Sequence, residues 1–134
     1  MRWLVVCCLL ACGHAPPPKP PAAQKPVNSL ADVAGAWSTS DDMDWGYLLD
    51  IRPDGDVHLT IDRGKLGRCT LHATPIRGAV APSFEMEVAI DECHRDRASG
   101  APIYIAVPSF TGTEITLEIK DGDHVDRRTY QSAK

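Results

Sequence analysis

Apolar residues recur at every second position in short bursts through most of this chain, a period that restricts it to half-buried β-strands. Tyr47, Leu49 and Ile51 alternate with Leu48, Asp50 and Arg52, and Val57, Leu59 and Ile61 alternate with His58, Thr60 and Asp62. The same period runs through Cys69, Leu71 and Ala73; Phe84, Met86, Val88 and Ile90; Ile103, Ile105 and Val107; and Ile115, Leu117 and Ile119. With a strand around Trp37 and a last one from Val125 to Tyr130, the pattern predicts eight strands. Between them lie Pro53-Asp54-Gly55, the stretches Gly64 to Gly67 and Gly78 to Pro82, Gly100, Gly112 and Asp121-Gly122, all carrying turn chemistry. The only helical element expected is a single turn at Ser29 to Ala34, with Ser29 placed to cap it and Asp32 in its first turn.

Eight short antiparallel strands in about 100 residues leave a sandwich or a closed up-and-down barrel, and closure removes the exposed edges. Gly35-Ala36-Trp37, after a short turn, resembles the GxW start of lipocalin-like barrels. That resemblance implies a small antiparallel up-and-down barrel in which a basic residue of the last strand, here Arg127 or Arg128, packs over the Trp. The inward list is rich in Ile, Leu, Val, Phe and Met, so a core filled by its own side chains is the first reading. A cavity for a small apolar ligand, as in a lipocalin-like carrier, is the second.

The turns also set a register. A three-residue loop at Pro53-Asp54-Gly55, with Gly55 left-handed, places Ile51 opposite Val57 and Asp50 opposite His58. A five-residue loop at Arg63 to Gly67 places Ile61 opposite Cys69 and His58 opposite His72. Asp50, His58 and His72 then form a row on the outer face, with neighbouring Cβ atoms about 5 Å apart. Two imidazoles and a carboxylate have the ligand types for Zn²⁺ or Cu²⁺ with an open position. Polar residues on the wet side of a strand need no such role, and neither a metal site nor any cofactor is expected.

The N-terminus reads as a targeting segment: Met1-Arg2 is a basic start, and Trp3 to Ala11 is a continuous apolar run too short for the roughly 20 residues of a spanning helix. Leu9-Leu10-Ala11-Cys12 resembles the lipobox of bacterial lipoproteins. The resemblance implies cleavage before Cys12, acylation of that residue, and a membrane anchor made of lipid alone. Gly13 stands where an Asp would retain such a protein at the inner membrane, so the resemblance implies the outer membrane, at its periplasmic face. The alternative is an ordinary secretory signal in which Cys7, Cys8 and Cys12 are merely apolar. Residues 13–26 hold six of the eleven prolines and no carboxylate, the composition of an extended, solvated tether. The expected organisation is therefore a signal at residues 1–11, a lipidated Cys and tether at 12–26, and one domain at 27–134.

Removing Arg2, Lys19 and Lys25 leaves that domain with 11 basic and 18 acidic residues, a formal charge of −7 that argues against a nucleic-acid partner. Cys69 and Cys93 are the cysteines left in it, and an even pair in an oxidising compartment is most simply a disulfide. Cys69 has inward parity whereas Cys93 lies two beyond outward Asp91, so a bulge or the strand's end must turn it.

Other motifs are less directive. Asp41-Asp42-Met43-Asp44-Trp45 lacks the DxDxDG frame of a calcium loop, though Met43 and Trp45 would suit a protein-binding patch. Asp54-Gly55-Asp56 and Asp121-Gly122-Asp123 are explained by turns. There is no GxSxG elbow and no free thiol to pair with His94, and Glu85, Glu87, Asp91 and Glu92 are expected on a solvated strand face, so no enzyme is expected. Leu30 to Trp37 resembles the opening of bacterial metalloprotease inhibitors. Ala98-Ser99-Gly100-Ala101-Pro102-Ile103-Tyr104 resembles the SGxxY loop of membrane-bound lysozyme inhibitors, which adds Ser99 and Tyr104 as candidate contacts. The expectation is a membrane-anchored, non-enzymatic binding or structural module, with a carrier of a small apolar ligand or an inhibitor of a protease or lysozyme as alternatives.

Overall fold

The computed structural model describes residues 22–94 and 100–133, together with Gly13, Pro17 and Pro20. The expected signal, Cys12 and Ser99 lie outside the described residues. Eight strands follow one another as β1 (Gly35–Ser40), β2 (Gly46–Ile51), β3 (Val57–Asp62), β4 (Arg68–Pro75), β5 (Ser83–Asp91), β6 (Ile103–Phe110), β7 (Glu114–Asp121) and β8 (His124–Ser132). Each pairs antiparallel with the next, and β8 returns to β1 through Trp37 opposite Ser132 and Ser38 opposite Gln131, closing the sheet. This is an all-β, eight-stranded, closed up-and-down barrel: of the two architectures that the alternation left open, it is the one that the resemblance of Gly35-Ala36-Trp37 to lipocalin-like barrels implied. Among the described residues, no helix is long and apolar enough to cross a membrane.

The two ends of the barrel differ. At one end, the 3₁₀ turn Leu30–Val33 packs inward, with both named residues in the buried core. Trp37 donates its indole N–H to the Val33 carbonyl at 3.1 Å and meets Phe110 edge-on, with ring centroids 6.0 Å apart. Asp32 supports the turn by accepting the backbone N–H groups of Asn28 and Ser29. Gly55 sits beneath this turn with a left-handed φ of 90°, and a Cβ added there would meet Pro75 at 2.9 Å, so the 52–56 turn needs glycine for both conformation and space. The chain is held to this end before the expected domain boundary. Lys25 donates its backbone N–H to the Phe110 carbonyl, and the Gln24 side chain accepts the Phe110 N–H. The other end, ringed by residues 41–45, 63–67, 92–94, 100–102 and 122–123, carries no such plug among the described residues.

The two N-terminal hairpins keep the register read from their turns, including Ile51 opposite Val57, Asp50 opposite His58, Ile61 opposite Cys69 and His58 opposite His72. Further along, β5 departs from plain alternation. Its register against β4 shifts between His72 and Ala73, where Ala73 faces Val88 but His72 faces Ile90 and Leu71 faces Asp91. The extra residue turns the end of the strand over. Ile90, expected inside, is exposed; Asp91, expected outside, comes to the inner side, and Cys93 with it. The bulge thereby resolves the parity conflict of the cysteines, and Cys69–Cys93 is a disulfide with Cα atoms 5.1 Å apart.

Neither Arg127 nor Arg128 packs over Trp37, as the lipocalin-like resemblance implied. Arg127 points outward to Glu118 at 3.8 Å, and Arg128 shares the inward parity of Tyr130 but lies over the ring of Tyr47, 3.9 Å from its centroid. The reason is distance along the strand. Trp37 pairs with Ser132, four residues beyond Arg128 and toward the plugged end.

Candidate functional site: the open end of the barrel

The unplugged end forms a cup of about 190 Å³. Leu59, Ile61, Leu71, Ile103 and Ile119 line its wall and floor, and Trp45, Tyr47 and the two disulfide cysteines complete the lining. The apolar members come from the same alternation that fills the core below. They line a cavity here because no segment of the described chain enters this end as Leu30–Val33 enters the other. Apolar cavities as small as about 150 Å³ admit a benzene-sized molecule, so this space is large enough for one ring or a short acyl chain.

Polar groups gather at the rim. Arg128 donates from Nε to Asp126 at 3.1 Å while its guanidinium covers Tyr47. The Tyr47 hydroxyl donates to Asp41 at 2.9 Å, and the other Asp41 oxygen accepts the backbone N–H groups of Met43 and Trp45. Burial pushes the Tyr47 phenol up to about 12, and the bond to Asp41 adds to this. Burial acts to raise the Asp41 carboxyl as well, but the donors from Trp45, Tyr47 and Met43, with the Arg128 charge, outweigh it and hold the group below its ordinary value. Asp41 therefore organises the 41–45 loop, a role that the acidic run did not reveal. On the far rim, Asp91 accepts the backbone N–H groups of Cys93 and His94 and lies 3.2 Å from the His94 ring. Arg63 lines the cup from the 63–67 loop. Its Nε is buried without a hydrogen-bond partner, and no ion pair or side-chain hydrogen bond ties it among the described residues.

The candidates named from sequence are distributed differently from the reading that raised them. Trp45 lines the cup, but Met43 projects into solvent, and Tyr104 stands on the outer wall between Glu85 and Lys120. Asp50 does not join the two histidines: it is exposed and turned toward Arg52 at 3.9 Å. Asp56 takes its place. It lies 3.5 Å from His72 Nε2 and forms with His58 and His72 a group whose ligand atoms lie within 4.8 Å of one another.

Comparison with known proteins supplies no relative. No family model, no curated protein and no solved structure matches this chain.

The rim and the plug together set an acid response. Donors from Asn28 and Ser29 hold the Asp32 carboxyl below its ordinary value, and those from Gly64 and Arg68 do the same for Asp62. With Asp41, three carboxyls bind protons more weakly folded than unfolded. Their stabilisation is complete above the ordinary carboxylate range and is lost as pH falls through and below it. Urea midpoints are expected to fall as pH drops from about 5 to 2, with a shallower fall in Asp41→Asn. A midpoint constant over that interval would contradict these proton affinities.

Proposed function

We propose that this chain is a membrane-tethered, non-enzymatic binding module whose open barrel end takes a small ligand with an apolar body and an anionic end. The cup carries this reading: an apolar floor of Leu59, Leu71, Ile103 and Ile119 lies beneath a rim that holds an Arg63 guanidinium with a buried, unpartnered Nε. A buried charged donor left unpaired costs more than the 1–3 kcal/mol typical of neutral groups, and a ligand carboxylate would recover that cost. Of the acidic groups that line the cup, Asp126 is engaged by Arg128, and Asp91 by His94 and two backbone donors. The position of the tether supports the same reading. Gln24 and Lys25 are fastened at the plugged end, so a chain leading from there to a lipid anchor would leave the cup facing away from the membrane.

Octanoate is a suitable probe, with octanol and octylamine as its neutral and cationic counterparts. Trp45 on the cup wall offers a fluorescence readout. Octanoate is expected to bind at least about 10-fold more tightly than octanol, the worth of one charge-assisted hydrogen bond of about 1.5 kcal/mol. Arg63→Gln should remove that preference, and Ile119→Trp, which fills the cup, should abolish binding of both. Octanoate binding unchanged in Ile119→Trp would overturn the site, and tighter binding of octylamine would overturn the charge assignment.

A further inference from the structure

The outer wall of the barrel carries a second chemical feature, independent of the cup. His58 on β3 and His72 on β4 are direct cross-strand partners with rings stacked 3.9 Å apart between centroids and inclined by 21°. Asp56 lies two residues before His58, so it falls on the same side of the sheet and diagonal to His72, a separation short enough for side chains to meet. Its Oδ2 is 3.5 Å from His72 Nε2. The three residues are each partly buried, and one ligand atom from each lies within 4.8 Å of the other two. From these placements we infer that Asp56, His58 and His72 form a binding site for a divalent transition-metal ion of the Zn²⁺ type.

Two further observations distinguish this group from polar residues that merely share a wet face. First, the Nε2 of His58 is buried and has no hydrogen-bond partner. Buried polar atoms are nearly always paired, and an orphaned one costs about 1–3 kcal/mol, so a coordinated ion or the ring rotation that accompanies it would remove a standing penalty. Second, the ligand types are matched to one class of ion. Two imidazoles and one carboxylate are the donor set of open Zn²⁺ sites, whereas Ca²⁺ requires six or more oxygens and Mg²⁺ an octahedron of them. The remaining position or positions would be left to water or an exogenous ligand.

The geometry needs adjustment only at side chains. Donor atoms around a tetrahedral Zn²⁺ are about 3.3 Å apart, given metal–nitrogen distances of about 2.0–2.1 Å. Closing the set from at most 4.8 Å requires rotations that carry each donor about 1 Å. The stacked rings must also tip so that their lone pairs converge. All three side chains are on the outer side of the sheet, where such rotation does not disturb the core. The charged neighbours are balanced. Arg52 opposes a cation, and Asp50, the β2 partner of His58, offsets it through their 3.9 Å contact. The bound ion would tie β3, β4 and the 52–56 turn together.

The test uses the full chain in detergent micelles, titrated with Zn²⁺ by calorimetry near neutral pH and with Co²⁺ by visible absorption. The expected result is one Zn²⁺ per chain with sub-micromolar affinity, weakened at least about 100-fold in His58→Gln/His72→Gln. Asp56→Asn, which keeps the side-chain shape, should weaken it about 10-fold and alter the Co²⁺ spectrum. Should the double variant fail to show native near-ultraviolet dichroism, Asp56→Asn decides alone, and unchanged affinity there overturns the site. His94→Gln addresses the other metal-type grouping, Asp91, His94 and Asp121 at the cup rim, and should change nothing. Tight binding that survives in the His58/His72 variant, or that is lost in His94→Gln, would overturn the assignment. So would binding no tighter than about millimolar in the wild type.

Discussion

Cys12→Ala is expected to move the protein from the membrane fraction to the soluble fraction and to abolish labelling by a fatty-acid analogue. The basis is the run from Leu9 to Cys12 and its resemblance to the lipobox of bacterial lipoproteins, followed at once by a Pro-rich segment with no carboxylate. The effect should be nearly complete because the anchor is additive in buried methylene groups, at about 0.8 kcal/mol each. One acyl chain gives only marginal, reversible attachment, whereas two or three hold a protein stably. The described part of the chain offers no helix that could substitute. Wild-type protein that is unlabelled and soluble would remove the basis for a tethered module, yet it would leave the cup and the His58–His72 site as they stand.

Cys69→Ser/Cys93→Ser is expected to cost about 3.5 kcal/mol of folding stability, from the loop entropy of a 24-residue separation. That is a large share of the 5–15 kcal/mol typical of a whole domain, so the chemical-denaturation midpoint should fall steeply. The loss should be greatest near the cup. The bond joins the start of β4 to the segment after β5, at the end where no plug supplies buried contacts among the described residues, and Glu92 beside it donates its N–H to the Thr70 carbonyl. Octanoate affinity should therefore fall together with stability, while Zn²⁺ affinity on the outer face of β3 and β4 should be retained in whatever fraction remains folded. Equal midpoints for the variant and wild type would show that the bridge constrains nothing.

How far the site could be read from the sequence depended on the range of the interactions that build it. The pairing of His58 with His72 was legible because it needs only two short turns and a period of two. The substitution of Asp56 for Asp50 as the third member was not. Asp50 is directly opposite His58, but its charge is drawn to Arg52, and the sheet brings Asp56, on the diagonal, to His72 instead. One signal was available: Asp56 has the same parity as His58, two residues earlier. Arg128 and Asp126 could likewise have been placed inside from the parity of Tyr130. Charged residues at inward positions read as exceptions until the rim that accommodates them is known.

The sequence by itself determined the eight strands, the two N-terminal hairpin registers and the presence of a cysteine pair, because alternation and turn chemistry act over a few residues. Only the tertiary structure decided that the β5 bulge would turn Asp91 and Cys93 inward and expose Ile90, that Arg128 would cover Tyr47 and not Trp37, and that one end would be plugged and the other left as a cup. Those outcomes follow from closing the sheet on itself. Strand tilt and stagger around a barrel set which side chains share a level, and that is a property of all eight strands together, written in no local segment.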